Sequence, residues 1–313
     1  MSIQRRTTKF VRALTTACAG TLAAVVVATL AGAGTAHATG APPLLSFNHA
    51  YGVFDRETAD AIEHSGYLRT FANLQIRTTT GSGDETWTGR YLMGRETYLE
   101  LFGTGDVPGK DGELGAGGMG VSTENEGELP TVVQRLRELG VANPVQLQQT
   151  RDFGDGVPVP WFDAVFTTGE YDTFGAWGME YLPGYFADPR SDTEPPSHPG
   201  DVGRERYLPD GYRDHLMRDV TGVRLAMTQR DLDSTTPLLR AGGMTVTDVP
   251  GGVLATGSGT AIRLEAVPVD RTGMRQADFA LNHPVHYRHV ERIGHSTLVV
   301  GPGAQARWTF DAR

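Results

Sequence analysis

The chain has 313 residues, with 28 Lys and Arg against 37 Asp and Glu, a formal net charge of −9 and a single cysteine. An acidic balance of this size repels nucleic acid and anionic lipid, so neither is expected as a partner. The one thiol, Cys18, cannot build a disulfide framework or a cysteine metal site by itself.

Residues 1–38 read as a secretory signal peptide. Arg5, Arg6, Lys9 and Arg12 form a basic start, residues 13–33 are mostly apolar, and Ala36-His37-Ala38 is a small-residue cleavage site. The expected product is secreted, is free of the membrane after cleavage and begins at Thr39. It has lost its only cysteine and keeps one lysine, Lys110.

Residues 44–53 predict a first strand, aliphatic and aromatic with His49 near its centre. Asp55 then caps a helix whose apolar side carries Ala59, Ile62 and Leu68. Three strands follow, over 71–80, 86–93 and 97–102, and the last carries Glu100 among apolar neighbours. By alternation, Phe47, His49 and Tyr51 share one face of the first strand, and Tyr98, Glu100 and Phe102 share one face of the fourth. Residues 103–120 hold eight glycines and read as a loop between modules. Gly115-Ala116-Gly117-Gly118-Met119-Gly120 fits G-x-G-x-x-G, but no hydrophobic strand leads into it, so a nucleotide site is not expected.

The same element order then repeats. A short strand at 119–123 leads to a helix over 129–139, with Leu129, Val132, Val133, Leu136 and Leu139 at helical spacing. Strands at 145–150, 157–168 and 177–182 close the second module, with Glu180 on the last. The Pro- and charge-rich stretch 188–211 reads as a linker. A third βαβββ pattern runs over 220–267, and the strands after residue 274 read as a fourth module with a degenerate helix.

His on a first strand and Glu on a last strand of a βαβββ unit resemble the vicinal-oxygen-chelate superfamily, which includes glyoxalases and bleomycin-resistance proteins. The resemblance implies an α+β fold of tandem βαβββ modules with curved mixed sheets, in two pairs: 44–187, and 212–313 beyond the linker. It implies a divalent metal (Zn, Mn, Fe or Ni) held by His49, Glu100 and Glu180, with Glu180 doubling as catalytic base. The fourth ligand place falls near Gly120 or Ser122, neither a strong ligand. The activity implied is a lyase, isomerase or dioxygenase acting on a small oxygen-rich molecule. The alternative is a metal-free small-molecule-binding protein, as in the drug-sequestering members. His283, His286 and His289 form a separate cluster at intervals of three, suited to a metal only if helical, and Pro284 disfavours that. Trp87, Trp161 and Trp177 lie on or beside strands, where packing is their default role.

Overall fold

The computed structural model describes residues 42–311, so the signal-peptide assignment lies outside the described residues. The described residues belong to one compact unit. The first module consists of β1 (Ser46–Phe54), α1 (Arg56–His64), α2 (Gly66–Phe71), β2 (Asn73–Thr80), β3 (Thr86–Met93) and β4 (Tyr98–Gly103). Asp55 starts α1 as expected, accepting from Thr58 N at 2.8 Å. Ser65 divides the predicted helix in two by capping α2 through Leu68 N. The second module is β5 (Gly117–Ser122), α3 (Leu129–Glu138), β6 (Val145–Arg151), β7 (Val159–Phe166) and β8 (Phe174–Tyr181).

These strands form one sheet in the order β2-β3-β4-β1-β5-β8-β7-β6. In each module the helical crossover makes first and last strands parallel, β1 with β4 and β5 with β8. The modules join where β1 and β5 run antiparallel. The sheet curls until its edges touch: Asp152 N donates to Thr80 O, and Ser82 meets Gln149 and Thr150. The N-terminal sheet thus encloses a lumen.

The second half repeats the plan. It comprises β9 (Met217–Met227), α6 (Gln229–Ala241), β10 (Thr245–Val249), β11 (Gly252–Gly257) and β12 (Thr260–Ala266), then β13 (Gly273–Val285), β14 (His289–Ile293), β15 (Ser296–Val300) and β16 (Gly303–Phe310). The sheet order β10-β11-β12-β9-β13-β16-β15-β14 mirrors the first. The fourth module has no helix. A bend at 286–288 replaces the crossover, so β16 pairs with β13 antiparallel where the other modules pair in parallel. The α+β fold of tandem βαβββ modules expected from the sequence is the fold observed.

The helix-bearing faces of both sheets meet in one shared core. It runs from Leu45, Ile62 and Leu99 in the first half to Leu264, Phe279 and Trp308 in the second, with α3 packed on α6. The opposite faces form two separate hollows. Residues 188–211, with the short helices α4 (Pro183–Ala187) and α5 (Arg204–Tyr207) before and within them, lie against the N-terminal hollow. Arg204 is buried and donates to Phe47 O at 2.6 Å, while it pairs with Glu124 and Glu96. Pro and charge content made this stretch read as a linker, yet Val202, Tyr207 and Leu208 are packed in it.

Candidate functional site

The N-terminal lumen gathers the titratable groups that the sequence singled out on β1 and β4. The parallel register sets His49 beside Tyr98 and Tyr51 beside Glu100, so all four project from one face. His49 stacks on Tyr98 at 4.5 Å between ring centroids and meets Trp177 edge-on at 5.3 Å. The alternation expected for β1 breaks at Asn48, where a bulge against β5 inserts one residue. Phe47 therefore turns into the shared core, away from His49. Asn48 turns into the lumen, donating to Ser122 Oγ at 3.0 Å and Tyr181 Oη at 3.3 Å. With its amide nitrogen so used, the Asn48 oxygen accepts from His49 Nδ1 at 2.8 Å. The imidazole is thus held as the Nδ1–H tautomer, with an Nε2 lone pair that has no protein partner among the described residues.

The floor of the lumen is β5. A Cβ on Gly118 would lie 2.2 Å from Tyr51 Cε1, and one on Gly120 would lie 2.6 Å from His49 Cε1. The glycines of the G-x-G-x-x-G run therefore make room for two rings. They belong to a strand that begins at Gly117, earlier than the sequence reading placed it.

Two closures shut the lumen. At one end Tyr207 stacks on Tyr181 at 4.1 Å, and Tyr185 packs on Trp161. A small cavity of about 140 Å³ remains there, lined by Gln75, Arg77, Met93, Arg151, Tyr185 and Tyr207 among others. At the other end the Gly-rich loop lays Asp111 on the Tyr171 hydroxyl at 2.8 Å, with Lys110 Nζ 3.6 Å above the Tyr171 ring.

Enclosure dominates the electrostatics. Burial pushes the Glu100 carboxyl up to about 7, against the pull of the Arg77 guanidinium and the Tyr98 hydroxyl. Burial pushes His49 down to about 3, so the ring is neutral at physiological pH. Glu100 and Tyr51 are walled in by protein yet keep surface open to a water-sized probe, as residues lining an interior space do. Three N–H groups around that space have no partner among the described residues: Arg77 Nε, Trp161 Nε1 and Trp177 Nε1. Arg77 lies 4.4 Å over the Tyr91 ring. The sequence reading missed Arg77, although Leu74 and Ile76 on β2 put it on the face opposite the core with Gln75 and Thr79.

Glu180 does not join this group. On β8 it alternates with Met179 and Tyr181, which face the lumen cluster, so its carboxylate faces the helices. There it accepts from Gly127 N and Leu129 N, both at 2.8 Å, and from Thr123 Oγ1. It caps α3, whose own first residues supply no side-chain cap. The missing Ser, Thr, Asp or Asn before Leu129 was the signal that the cap comes from elsewhere. Replacing Glu180 with Ala is expected to destabilise the fold by roughly 2–3 kcal/mol by orphaning two backbone donors. Urea unfolding of the variant checks this, and a loss below about 0.5 kcal/mol contradicts the capping role.

The resemblance drawn from the sequence implies a divalent metal, and the residues present do not fit one. Of the proposed ligands His49, Glu100 and Glu180, only the first two share the lumen. Ser122, at the fourth place, is fully buried and bonded to Asn48. Among the described residues, no group of three or more His, Cys, Asp or Glu side chains is arranged to hold a metal ion. Glu180, occupied as a helix cap, is also not placed to act as a catalytic base in the lumen. His283 and His286 sit exposed on the end of β13 and its bend, and His289 bonds Glu291 at 2.9 Å and stacks on Tyr67, so this cluster does not converge either.

Among solved structures the chain is similar to a hypothetical protein from Staphylococcus aureus, with 10% identity, a TM-score of 0.47 and coverage of 82% of this chain and 99% of that one. It is also similar to a Mn(II)-bound glyoxalase from Novosphingobium aromaticivorans, with 8% identity, a TM-score of 0.38 and coverage of 84% and 81%. A third likeness is to 2,2',3-trihydroxybiphenyl 1,2-dioxygenase from Sphingomonas wittichii strain RW1, with 10% identity, a TM-score of 0.34 and coverage of 71% and 68%. Likenesses this distant carry no function across. No curated protein matches the chain. One family model spans residues 47–310, from within β1 to the end of β16, and by that match the chain belongs to the family of unknown function DUF5829.

Proposed function

We propose that this is an exported, metal-independent small-molecule-binding protein whose N-terminal lumen takes a planar, largely apolar ligand. The observation that carries the reading is the pairing of an enclosed aromatic wall with polar atoms that no protein group satisfies. Buried N–H groups normally find partners, and among the described residues three around one space do not. Pockets that recognise small molecules combine apolar walls with a few convergent polar groups in this way. The Trp161 and Trp177 N–H groups are covered in this structure and become donors to a ligand acceptor when the packing around them opens. Glu100 offers an acceptor when ionised and a donor when protonated, and titrates near 7. The orientation of Glu180 supports the metal-independent form. The basic and apolar residues of 1–38, with their cleavage site, support export; amino-terminal sequencing of the mature product tests that part.

Tryptophan fluorescence tests the binding, because Trp87, Trp161 and Trp177 border the lumen. Titration with 1-naphthol or indole is expected to quench the emission saturably, with EDTA making no difference. Glu100→Gln is expected to weaken binding about tenfold at pH 8 by removing a charged acceptor. Absence of quenching at about 1 mM probe, a range that reaches weak affinities, defeats the reading, and so does loss of binding on EDTA treatment.

One observation favours a second reading, a metal-independent proton-transfer enzyme. A carboxylate with a pKa near 7 is matched to a general base at neutral pH. Turnover of a bound carbonyl compound, with a rate rising through pH 7 and absent in Glu100→Gln, would distinguish catalysis from sequestration.

A further inference from the structure

The C-terminal hollow carries chemistry opposite to that of the lumen. The two halves align through their central strand pairs, since Phe54 opposite Gly103 corresponds to Met227 opposite Ala266. On that alignment the place of Glu100 is taken by Arg263, the place of Tyr51 by Arg224 and the place of His49 by Gly222. The buried carboxylate of one half becomes a guanidinium pair in the other.

Arg224 and Arg263 line a cavity of about 780 Å³ together with Arg288 and Arg307. That size lies within the range of small-molecule sites. Unlike the lumen it is open, with the Arg224 and Arg307 side chains half or more exposed. Two carboxylates set the arginines in place. Glu265 forms an ion pair with Arg224 Nε at 2.9 Å and accepts from Arg263 Nε at 3.2 Å, while Arg263 Nη2 donates to Pro250 O, so one side chain holds two guanidinium groups side by side. Asp278 accepts from Arg307 Nε at 2.6 Å and is itself held by Gln276 Nε2 at 2.8 Å. Each carboxylate engages an Nε, which leaves the guanidinium ends of Arg224 and Arg307 without a protein partner among the described residues. Arg288, which also lines the cavity, has no side-chain ion pair or hydrogen bond among the described residues. Four arginines against two carboxylates leave an excess of two positive charges in a chain whose overall charge is −9. The field is felt nearby: burial first, and the Arg224 charge second, hold Arg275 below the ordinary arginine range.

The geometry points to a second binding site in this hollow, for a small polyanion bearing two or more carboxylate or phosphate groups. Planar guanidinium forks with free ends match the paired oxygens of such groups, and their Nε anchoring removes much of the entropy cost of ordering them. The Arg224–Arg263 pair takes one anionic group, and Arg307 with Arg288 takes another across the sheet. The site is independent of the lumen.

Calorimetric titration of the full mature chain with citrate and, separately, inorganic pyrophosphate at low ionic strength tests the assignment. At least one of them is expected to bind once per chain, with affinity falling as salt rises. Arg224→Gln and Arg307→Gln should each weaken binding about tenfold. Both side chains are exposed, so the variants should fold, which circular dichroism verifies. Arg137→Gln, at an exposed position of α3, and Glu100→Gln should bind like the parent. Citrate alone, pyrophosphate alone or both binding all support a polyanion site and identify which group it prefers. Lack of binding by either at about 10 mM, beyond the weakest useful affinity, overturns it, as does an equal loss in Arg137→Gln.

Discussion

Glu100→Gln is expected to make the protein more stable at pH 8 by about 3 kcal/mol and to leave it nearly unchanged at pH 4.5. The ordinary carboxyl titrates at 4.5, and burial raises Glu100 to about 7 in the fold. Below pH 4.5 the proton is bound in both states and costs nothing. As pH rises from 4.5 to 7 the unfolded chain ionises while the folded carboxyl stays protonated, so stability is lost over that window, and above 7 the fold carries the full cost of a buried carboxylate. His49 acts in the opposite direction. Its ordinary value of 6.5 falls to about 3, so its contribution is complete above pH 6.5 and is lost on acidification through pH 3, by about 5 kcal/mol in all. Between about pH 4.5 and 6.5 the two slopes offset each other and the parent profile is flat. Each single variant exposes the other group: Glu100→Gln should lose stability steadily on acidification from pH 6.5, and His49→Gln should lose it on alkalinisation from pH 4.5. Urea midpoints across pH 4–8 report this. A Glu100→Gln variant no more stable than the parent at pH 8 would show that the carboxyl is not held in the raised state.

The largest single loss of stability is expected from Asp231→Ala, roughly 3–6 kcal/mol. Asp231 has no exposed surface. It stands in the first turn of α6, where Thr228 caps the helix through Asp231 N. Its carboxylate reaches across to the other half, accepting from Asp172 N at 2.8 Å, Thr173 N at 2.9 Å and Phe174 N at 3.0 Å. Three backbone donors lose their acceptor, that of Phe174 fully buried and those of Asp172 and Thr173 partly so, at about 1–2 kcal/mol each. The contact is also one of those that join the two halves, so its loss should broaden the unfolding transition and lower the apparent m-value as the halves uncouple. A variant that unfolds within 1 kcal/mol of the parent, with an unchanged slope, would rule out this role.

Element order was legible because each signal is local. Strand alternation, Asp55 before a helix, and turn glycines lie within a few residues of what they determine. The absent helix of the fourth module was legible for the same reason. What escaped was decided by single steps of register or by distant partners. One bulge at Asn48 sends Phe47 to the core and leaves His49 in the lumen. One step along β8 sends Glu180 to the helices, although the strand around it was correctly placed. Residues 188–211 carry the composition of a linker, and nothing local marks Arg204 as a buried residue bound to Phe47 O, Glu124 and Glu96. Without that cover the raised pKa of Glu100 could not be foreseen. Arg224 and Arg307 of the C-terminal hollow come from strands more than eighty positions apart, and only the folded sheet shows that they line one space.

The close approach of the His49 ring to Gly120 constrains how these positions can change by mutation. A side chain gained first at Gly120 overlaps the ring, 2.6 Å from its Cβ, while a ring lost first from position 49 leaves a void beside Tyr98 and Trp177. Each single step is unfavourable and the double step need not be, which is sign epistasis in a steric form. Tyr51 and Gly118 form a second such pair one repeat along the same two strands. The lumen is therefore freer to evolve on β2 and β7 than across its floor, and on β3 Gly89 is held in the same way, 2.8 Å beneath the Phe102 and Tyr91 rings.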